Sequence, residues 1–344
     1  MSKDYCSRPV FRHLDKYLKC LKVNYFARTQ THLFCNHLTA AVRSVGVLRC
    51  IDVMSLLQDL LAILSGGRDR RGGAIITFPS SGRRDKAKAD DYRLLLQYLM
   101  SIPSDDVSAL GFTVIVDMRG NATWNSVKPI LKVLQEYFAT HIHTAHIIKP
   151  DNFWQKQRTS LGSQKYKFET NLISTEALIK VLDPSQLTTD LDGSLLYDHS
   201  IWIELRCTLE DFLWQSSDLL GRLDDMREDL NANDFADDVG GAKGAVDLHL
   251  EARRKIVKVP VENMDNVGQR LLHRFSSNDA SSDSVTTNMA YNPDLQSTIP
   301  QIMHLLDQMH SGQQHLLHLW QIKKTKLEQC LQLRIFEQDC EKVN

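Results

Sequence analysis

Residues 201–344 carry apolar side chains at alternating spacings of three and four. This period places them on one side of an α-helix, because one helical turn takes 3.6 residues. A first pattern covers 202–230, and a second covers about 242–275. Pro260 interrupts the second, and its missing amide hydrogen predicts a kink or a break there. The stripe of the first helix consists of Trp202, Leu205, Leu209, Phe212, Ser216, Leu219, Leu223, Met226 and Leu230.

A third helix is predicted from about residue 298 to the end, a length of roughly 60 Å at about 1.5 Å per residue. Seven of its ten stripe positions between 302 and 334 are apolar. Three long helices with one apolar stripe each can bury those stripes only against one another, so we expect an antiparallel three-helix bundle. Because no stop signal follows the third helix, we expect the chain to end inside the start of another bundle.

Residues 51–200 follow a different pattern, in which short apolar runs alternate with helical stripes. Continuous apolar runs suit strands that are buried on both faces, as in a parallel sheet. A helix is predicted over 124–138, with Ser126 as its N-cap, and another over 92–100. This order indicates an α/β domain with a small parallel or mixed sheet. The predicted strands are 72–78, 111–117, 141–149 and 167–173.

Charge and cysteine usage narrow the class of protein. The chain has 344 residues with 41 Lys and Arg against 42 Asp and Glu, a net charge of −1, which argues against a nucleic-acid-coating protein. Residues 1–50 are the exception, with nine Lys and Arg against two Asp. We leave this basic segment unplaced, with a mitochondrial presequence as one alternative. Seven widely spaced cysteines indicate a reducing compartment, and no apolar run is long enough to span a bilayer.

The chain lacks the sequence motifs of common enzymes, with no P-loop, dinucleotide fingerprint, nucleophile elbow or HExxH. We therefore predict no catalytic residues and no cofactor. His141, His143 and His146 could place two imidazoles on one strand face, but no carboxylate or cysteine lies close in sequence. We favour a strand with polar edge positions and predict no metal site.

A basic cluster lies around the first predicted strand. We interpret it as a set of candidate contacts for anionic lipid or phosphate, since each basic group near an anionic membrane contributes about 1 kcal/mol. The alternative is a solvated loop. Trp202 and Trp320 fall on apolar stripes and are predicted in the core, whereas Trp214 lies off its stripe. The candidate contacts are Arg68, Arg70, Arg71, Arg83 and Arg84.

Several strings in the middle of the chain resemble one known family. The strings are LSGGRDRRGG (64–73), GFTVIVDMRG (111–120), IIKPDNFWQKQRT (147–159) and DPSQLTTDLDG (183–193). They are similar to the CRAL-TRIO lipid-binding domain of the Trio and kalirin Rho guanine-nucleotide exchange factors. KLEQCLQLRIFEQDCEK (326–342) resembles the junction between two of the spectrin repeats that follow in those proteins.

This resemblance implies a CRAL-TRIO domain at 51–200, a spectrin repeat at 201–325 and the start of a second repeat at 326–344. It implies a non-enzymatic scaffold that docks lipid, membrane or protein partners in cytoskeletal and axon-guidance signalling. Partner proteins would bind the spectrin helices, and a Rac or Rho GTPase would be reached only through downstream domains that this chain lacks. The expected location is the cytoplasm, at times at the inner membrane face.

Two departures from the family keep other functions open. Asp192-Gly193 stands where many lipid carriers have two glycines, which places classical lipid exchange in doubt. A lipid-transfer or phosphoinositide-binding protein that acts on its own remains an alternative. A further alternative is the front of a truncated exchange factor, since the exchange and kinase domains of the family are absent. The sequence identifies neither the ligand nor the oligomeric state.

Overall fold

A computed structural model gives the fold of the chain from Leu48 onward. The first element is a short 3-10 turn, Cys50–Val53, that leads into helix α1. The residues that the structure describes are 48–84, 87–119, 124–149, 166–232, 235–276 and 292–343. The elements of the sheet region are α1 Met54–Gln58, β1 Ile63–Arg68, β2 Ala74–Phe78, α2 Ala89–Met100, α3 Asp105–Ala109, β3 Phe112–Asp117, α4 Trp124–Tyr137, β4 Ile142–Ile148, β5 Glu169–Ile173 and α5 Thr175–Val181.

Within these residues the strands form one mixed sheet in the order β1-β2-β3-β4-β5. The strands β2 to β5 are mutually parallel, and β1 pairs antiparallel with β2 at the edge. The four strands predicted from the apolar runs are all present. Ser126 is not the N-cap of α4 as we expected, because the helix already begins at Trp124.

Side chains point alternately to the two faces of the sheet along each strand. Different elements pack on each face. Ile76, Val114 and Ala145 point to the face packed on α2 and α4, inside the large core. Ile75 and Ile115 point to the second face, where α5 and two 3-10 turns cover them. Those turns are Pro184–Gln186 and Thr189–Leu191.

The rest of the described chain is helical. The break at Pro260 divides the second long helix, as its missing amide hydrogen predicts. The apolar stripe of the first helix is buried from Trp202 to Leu230, except for the partly exposed Met226. The elements are α6 His199–Asn231, α7 Val239–Val257, α8 Val261–Ser276, α9 Pro293–Gln296 and α10 Ile299–Val343.

Close contacts give the direction of each helix. Lys323 of α10 reaches the Asp229 carbonyl of α6, and Gly312 of α10 lies against Leu223 of α6, so these two helices run in parallel. Between them, α7 and α8 run the opposite way, because Arg274 pairs with Glu204 near the start of α6. Three helical segments that run up, down and up are the predicted bundle, and this spectrin-like region is confirmed.

One buried pair joins α7 to α10. The Trp320 Nε1–H donates to the His249 carbonyl at 2.7 Å, and His249 Nε2 donates to the Trp320 carbonyl at 2.8 Å. The two rings stack with their centroids 5.1 Å apart. Trp320 is therefore a core residue, as its stripe position predicts.

Candidate functional site

The five candidate arginines do not form one basic face. Arg68, Arg70 and Arg71 lie at the turn between β1 and β2, whereas Arg83 and Arg84 follow β2. The five residues of β2 span roughly 16 Å at about 3.3 Å each. The structure therefore places the arginines in two groups at opposite ends of this strand.

The turn between β1 and β2 is held by one carboxylate. Asp69 accepts hydrogen bonds from the amides of Arg71 and Gly73, from the Arg71 guanidinium and from the Thr113 hydroxyl, at 2.8–2.9 Å. Burial opposes the ionisation of Asp69, but these bonds outweigh it and lower its pKa. The turn therefore presents its basic side chains from a fixed backbone.

Basic and apolar groups meet at the tip of this turn. The Arg70 guanidinium donates to the Lys180 carbonyl at 2.8 Å, and that of Arg71 donates to the Leu110 carbonyl at 2.9 Å. Leu110 and Val181 are 41% and 44% exposed. We call the surface of Arg70, Arg71, Leu110, Lys180 and Val181 the hairpin-tip surface.

The other two candidates have different environments. Arg83 is exposed and pairs with Asp59 at 3.2 Å. Arg84 is only 7% exposed, and its guanidinium donates to the carbonyls of Phe78, Pro79 and Asp117 at 2.5–3.1 Å. Burial lowers the pKa of Arg84, because the interior disfavours its charge. Arg84 therefore caps the ends of β2 and β3.

A polar cavity of about 250 Å³ lies at the carboxyl ends of β2 and β3, where ligands bind in open α/β sheets. Asp117 and Arg119 line it and form an ion pair at 3.0 Å. Hydrogen bonding to Asp117 raises the pKa of Arg119. A water takes about 30 Å³ of liquid volume, so the cavity has room for a small polar group. The sequence offered a signal here, since the string DMRG begins at the last residue of a buried strand.

A buried histidine lies in the middle of β4 on the second face of the sheet. His146 is 3% exposed, and neither ring nitrogen has a hydrogen-bond partner. Burial lowers its pKa, against a smaller opposing effect of Glu169. His146 is therefore buried, whereas His141 and His143 are exposed. Among the described residues, no group of three or more His, Cys, Asp or Glu could hold a metal.

We expect the free energy of unfolding to fall as the pH drops below about 6.5. His146, His199 and His249 all have pKa values lowered mainly by burial. The unfolded chain then binds more protons than the folded one, so stability is present above the ordinary histidine pKa and is lost below it. The slope should reach up to about 1.4 kcal/mol per pH unit for each histidine. Urea unfolding at pH 7.5, 6.5 and 5.5 measures it.

The variant His146→Leu is the control for this slope. It should reduce the slope of the free energy of unfolding against pH by the contribution of one histidine. It should also raise the free energy of unfolding at neutral pH, because it removes two buried ring nitrogens that lack hydrogen-bond partners. An unchanged slope, or a loss of stability at pH 7.5, would contradict the environment described for this ring.

Asp192 and Gly193, which follow the second 3-10 turn, have unusual backbone requirements. Asp192 has a left-handed backbone with φ of 60°, which Asp tolerates better than most residues. A Cβ on Gly193 would lie 2.0 Å from the Leu187 carbonyl, so only glycine fits there. The backbone here therefore uses one glycine and one residue that tolerates a left-handed conformation.

Comparison with known proteins agrees with this architecture. Residues 72–200 match the family described as divergent CRAL/TRIO domain. The predicted resemblance to CRAL/TRIO domains is confirmed for this segment. The mixed sheet with its helices and the spectrin-like helices are therefore confirmed. The string KPDNFWQKQRT lies almost entirely outside the described residues.

The chain is similar to proteins named for a SEC14 domain and spectrin repeats, and to proteins named as guanine nucleotide exchange factors. SEC14 domain and spectrin repeat-containing protein 1 of Xenopus tropicalis is 41% identical over 175 residues, 50% of this chain and 25% of that protein. The Mus musculus protein of that name is 34% identical over 268 residues, 75% of this chain and 36% of the relative. Guanine nucleotide exchange factor DBS of Mus musculus is 29% identical over 297 residues, 83% of this chain and 25% of the relative.

This chain thus spans about a quarter to a third of the length of these relatives. The predicted kinship with CRAL-TRIO and spectrin-repeat proteins, exchange factors among them, is confirmed. None of the helices within the described ranges is both long and apolar enough to cross a membrane.

Proposed function

We propose that this chain is a non-enzymatic binding module whose CRAL/TRIO domain docks on an anionic membrane surface while its helices serve as a protein-binding spacer. The hairpin-tip surface carries this proposal. We keep the domain limits 51–200 and 201–325, with 326–344 as the start of a second repeat. The site of action is the cytoplasmic face of a membrane.

The hairpin-tip surface suits an anionic membrane for two physical reasons. Its basic groups are attracted to lipid phosphates, at about 1 kcal/mol each. Its exposed Leu110 and Val181 can bury apolar area in the interface beside them. Asp183 opposes this attraction, because it lies close enough to Arg70 to interact with its charge.

We expect Arg70→Gln combined with Arg71→Gln to weaken vesicle binding about 30-fold, since two basic groups contribute about 2 kcal/mol. Sedimentation with phosphatidylcholine vesicles that contain 30% phosphatidylserine, compared with pure phosphatidylcholine, measures this loss. Asp183→Asn should strengthen binding to the same vesicles, because it removes the opposing charge.

The matched control combines Arg254→Gln with Lys255→Gln on α7, where Arg254 is exposed. It removes the same charge from the helical region and should leave most of the binding intact. Equal losses in the two double variants would mean that net charge, not the hairpin-tip surface, drives binding. Binding unaffected by the Arg70 and Arg71 changes would refute the proposal.

The alternative is a lipid-transfer protein that extracts a phosphoinositide. The cavity beside Arg119, of about 250 Å³, supports contact with a head group. Transfer of a fluorescent phosphatidylinositol between vesicles distinguishes the two functions. Docking alone predicts vesicle binding without transfer.

A relative named as a guanine nucleotide exchange factor, together with the resemblance to Trio and kalirin, suggests a place in Rho or Rac signalling. We propose that this chain contributes targeting and spacing to that signalling, in cytoskeletal and axon-guidance settings. Contact with a GTPase would run through regions outside this chain.

A further inference from the structure

The short helix α9, just before the last long helix, rests on the outer edge of the sheet. Asn292, Pro293 and Asp294, which precede α10, contact β1, the edge strand. We call this contact the edge latch. It joins a residue of the helical region to one more than 220 positions earlier in the chain.

A buried ion pair is the main contact of the edge latch. The Arg68 guanidinium donates to both carboxylate oxygens of Asp294, at 2.5 Å and 3.3 Å. The Asp294 side chain is 3% exposed and that of Arg68 is 17% exposed. Arg68 is therefore a structural partner of the helical region and is turned away from the hairpin-tip surface. A carboxylate this deeply buried depends on its partner, because an unpaired buried charge is costly.

Side-chain amides complete the hydrogen bonding of the edge strand. Asn292 donates to the Ser65 carbonyl at 3.1 Å, and the Gln186 side-chain oxygen accepts from the Arg68 amide at 2.9 Å. These are backbone groups to which a neighbouring strand could bond, and an exposed edge invites such pairing. Gly66 makes the approach possible, since a Cβ there would lie 2.6 Å from Asn292.

A second contact joins the two regions at the start of α6 and has a different character. His199 contacts the Leu57 carbonyl at 2.8 Å, and Glu210 accepts bonds from Tyr98 and from the Cys50 amide. The same seam includes Trp202 and Leu205 in the core that continues into the sheet region. This seam buries a continuous apolar core, whereas the edge latch is mostly polar.

We propose that the edge latch is a conformational lock that fixes where α10 begins relative to the sheet and shields β1 from strand pairing. Replacing a buried ion pair by apolar contacts is often neutral, but removing one partner is costly, so the pair penalises arrangements that separate Arg68 from Asp294. The apolar seam at α6 keeps the sheet and the bundle joined when the lock opens. Opening therefore frees Asn292–Asp294 and the edge of β1 without unfolding either region.

Hydrogen exchange of the full chain, read by mass spectrometry, tests this lock. The isosteric variant Asp294→Asn removes the charge and should speed exchange at least tenfold around residues 294–298. Exchange in β3 and α4 should stay as in the unmodified protein. Arg68→Gln should give the same pattern, and combining the two changes should add little, because both open one contact.

Two further variants separate the lock from general stability. Asn292→Ala removes a single hydrogen bond and should open the same segments to a smaller degree. Glu251→Gln breaks the exposed pair with Arg254 and should change nothing at β1. The proposal is overturned if Asp294→Asn accelerates exchange equally throughout the chain, or leaves residues 294–298 protected.

Discussion

Replacing Arg84 by leucine is expected to lower the free energy of unfolding by about 3–5 kcal/mol. Three carbonyl oxygens at the ends of β2 and β3 would lose their donor inside the protein. An unsatisfied buried acceptor costs about 1–3 kcal/mol, and leucine supplies no replacement. Arg84→Lys keeps the charge but cannot reach all three oxygens and should lie in between. Urea unfolding followed by circular dichroism gives the values.

Arg83→Leu is the matched control, one residue away. The Arg83 side chain is 81% exposed, and surface pairs like the one with Asp59 contribute little. We expect a change within about 0.5 kcal/mol. If the two variants lost the same stability, Arg84 would not be the cap that its contacts describe.

Trp202→Ala should cost about 3–5 kcal/mol, the range for removing a large aromatic side chain from a core. Trp202 is 1% exposed and stacks on His199 with the ring centroids 6.0 Å apart. It lies in the apolar seam between the sheet and the bundle, so its removal should weaken both. Thermal unfolding by calorimetry measures the effect.

Trp214→Ala removes the same atoms from the same helix and serves as its control. Trp214 is 54% exposed, so we expect a loss of no more than about 0.5 kcal/mol. A large loss at Trp214 would mean that this side chain is covered, for example by a partner molecule in solution.

The spacing of apolar residues predicted the helical region well, because each helix there buries a single face. The stripe from Trp202 to Leu230 and the break at Pro260 both follow from local rules. The strand β1 was missed for the opposite reason. Its residues ILSGGR include two glycines, and its burial comes from pairing with β2 and from contact with Asn292.

The candidate site likewise combines features that local sequence predicts with features that depend on tertiary contacts. Five arginines close in sequence predicted one basic surface. The structure instead separates them, because β2 carries the chain from one end of the sheet to the other between Arg71 and Arg83. Arg68 pairs with Asp294, and Arg84 donates to carbonyls at the ends of β2 and β3. No local sequence pattern predicts either partner.

By itself the sequence determined the class of fold, the stripes that pack the bundle and the break at Pro260, since each depends on neighbours within about two helical turns. Only the tertiary structure decided which arginines remain exposed, where the polar cavity lies and how α10 meets the sheet. Those features join residues as far apart as Arg68 and Asp294. Their free energies depend on burial and on partners that come together only when the chain has folded.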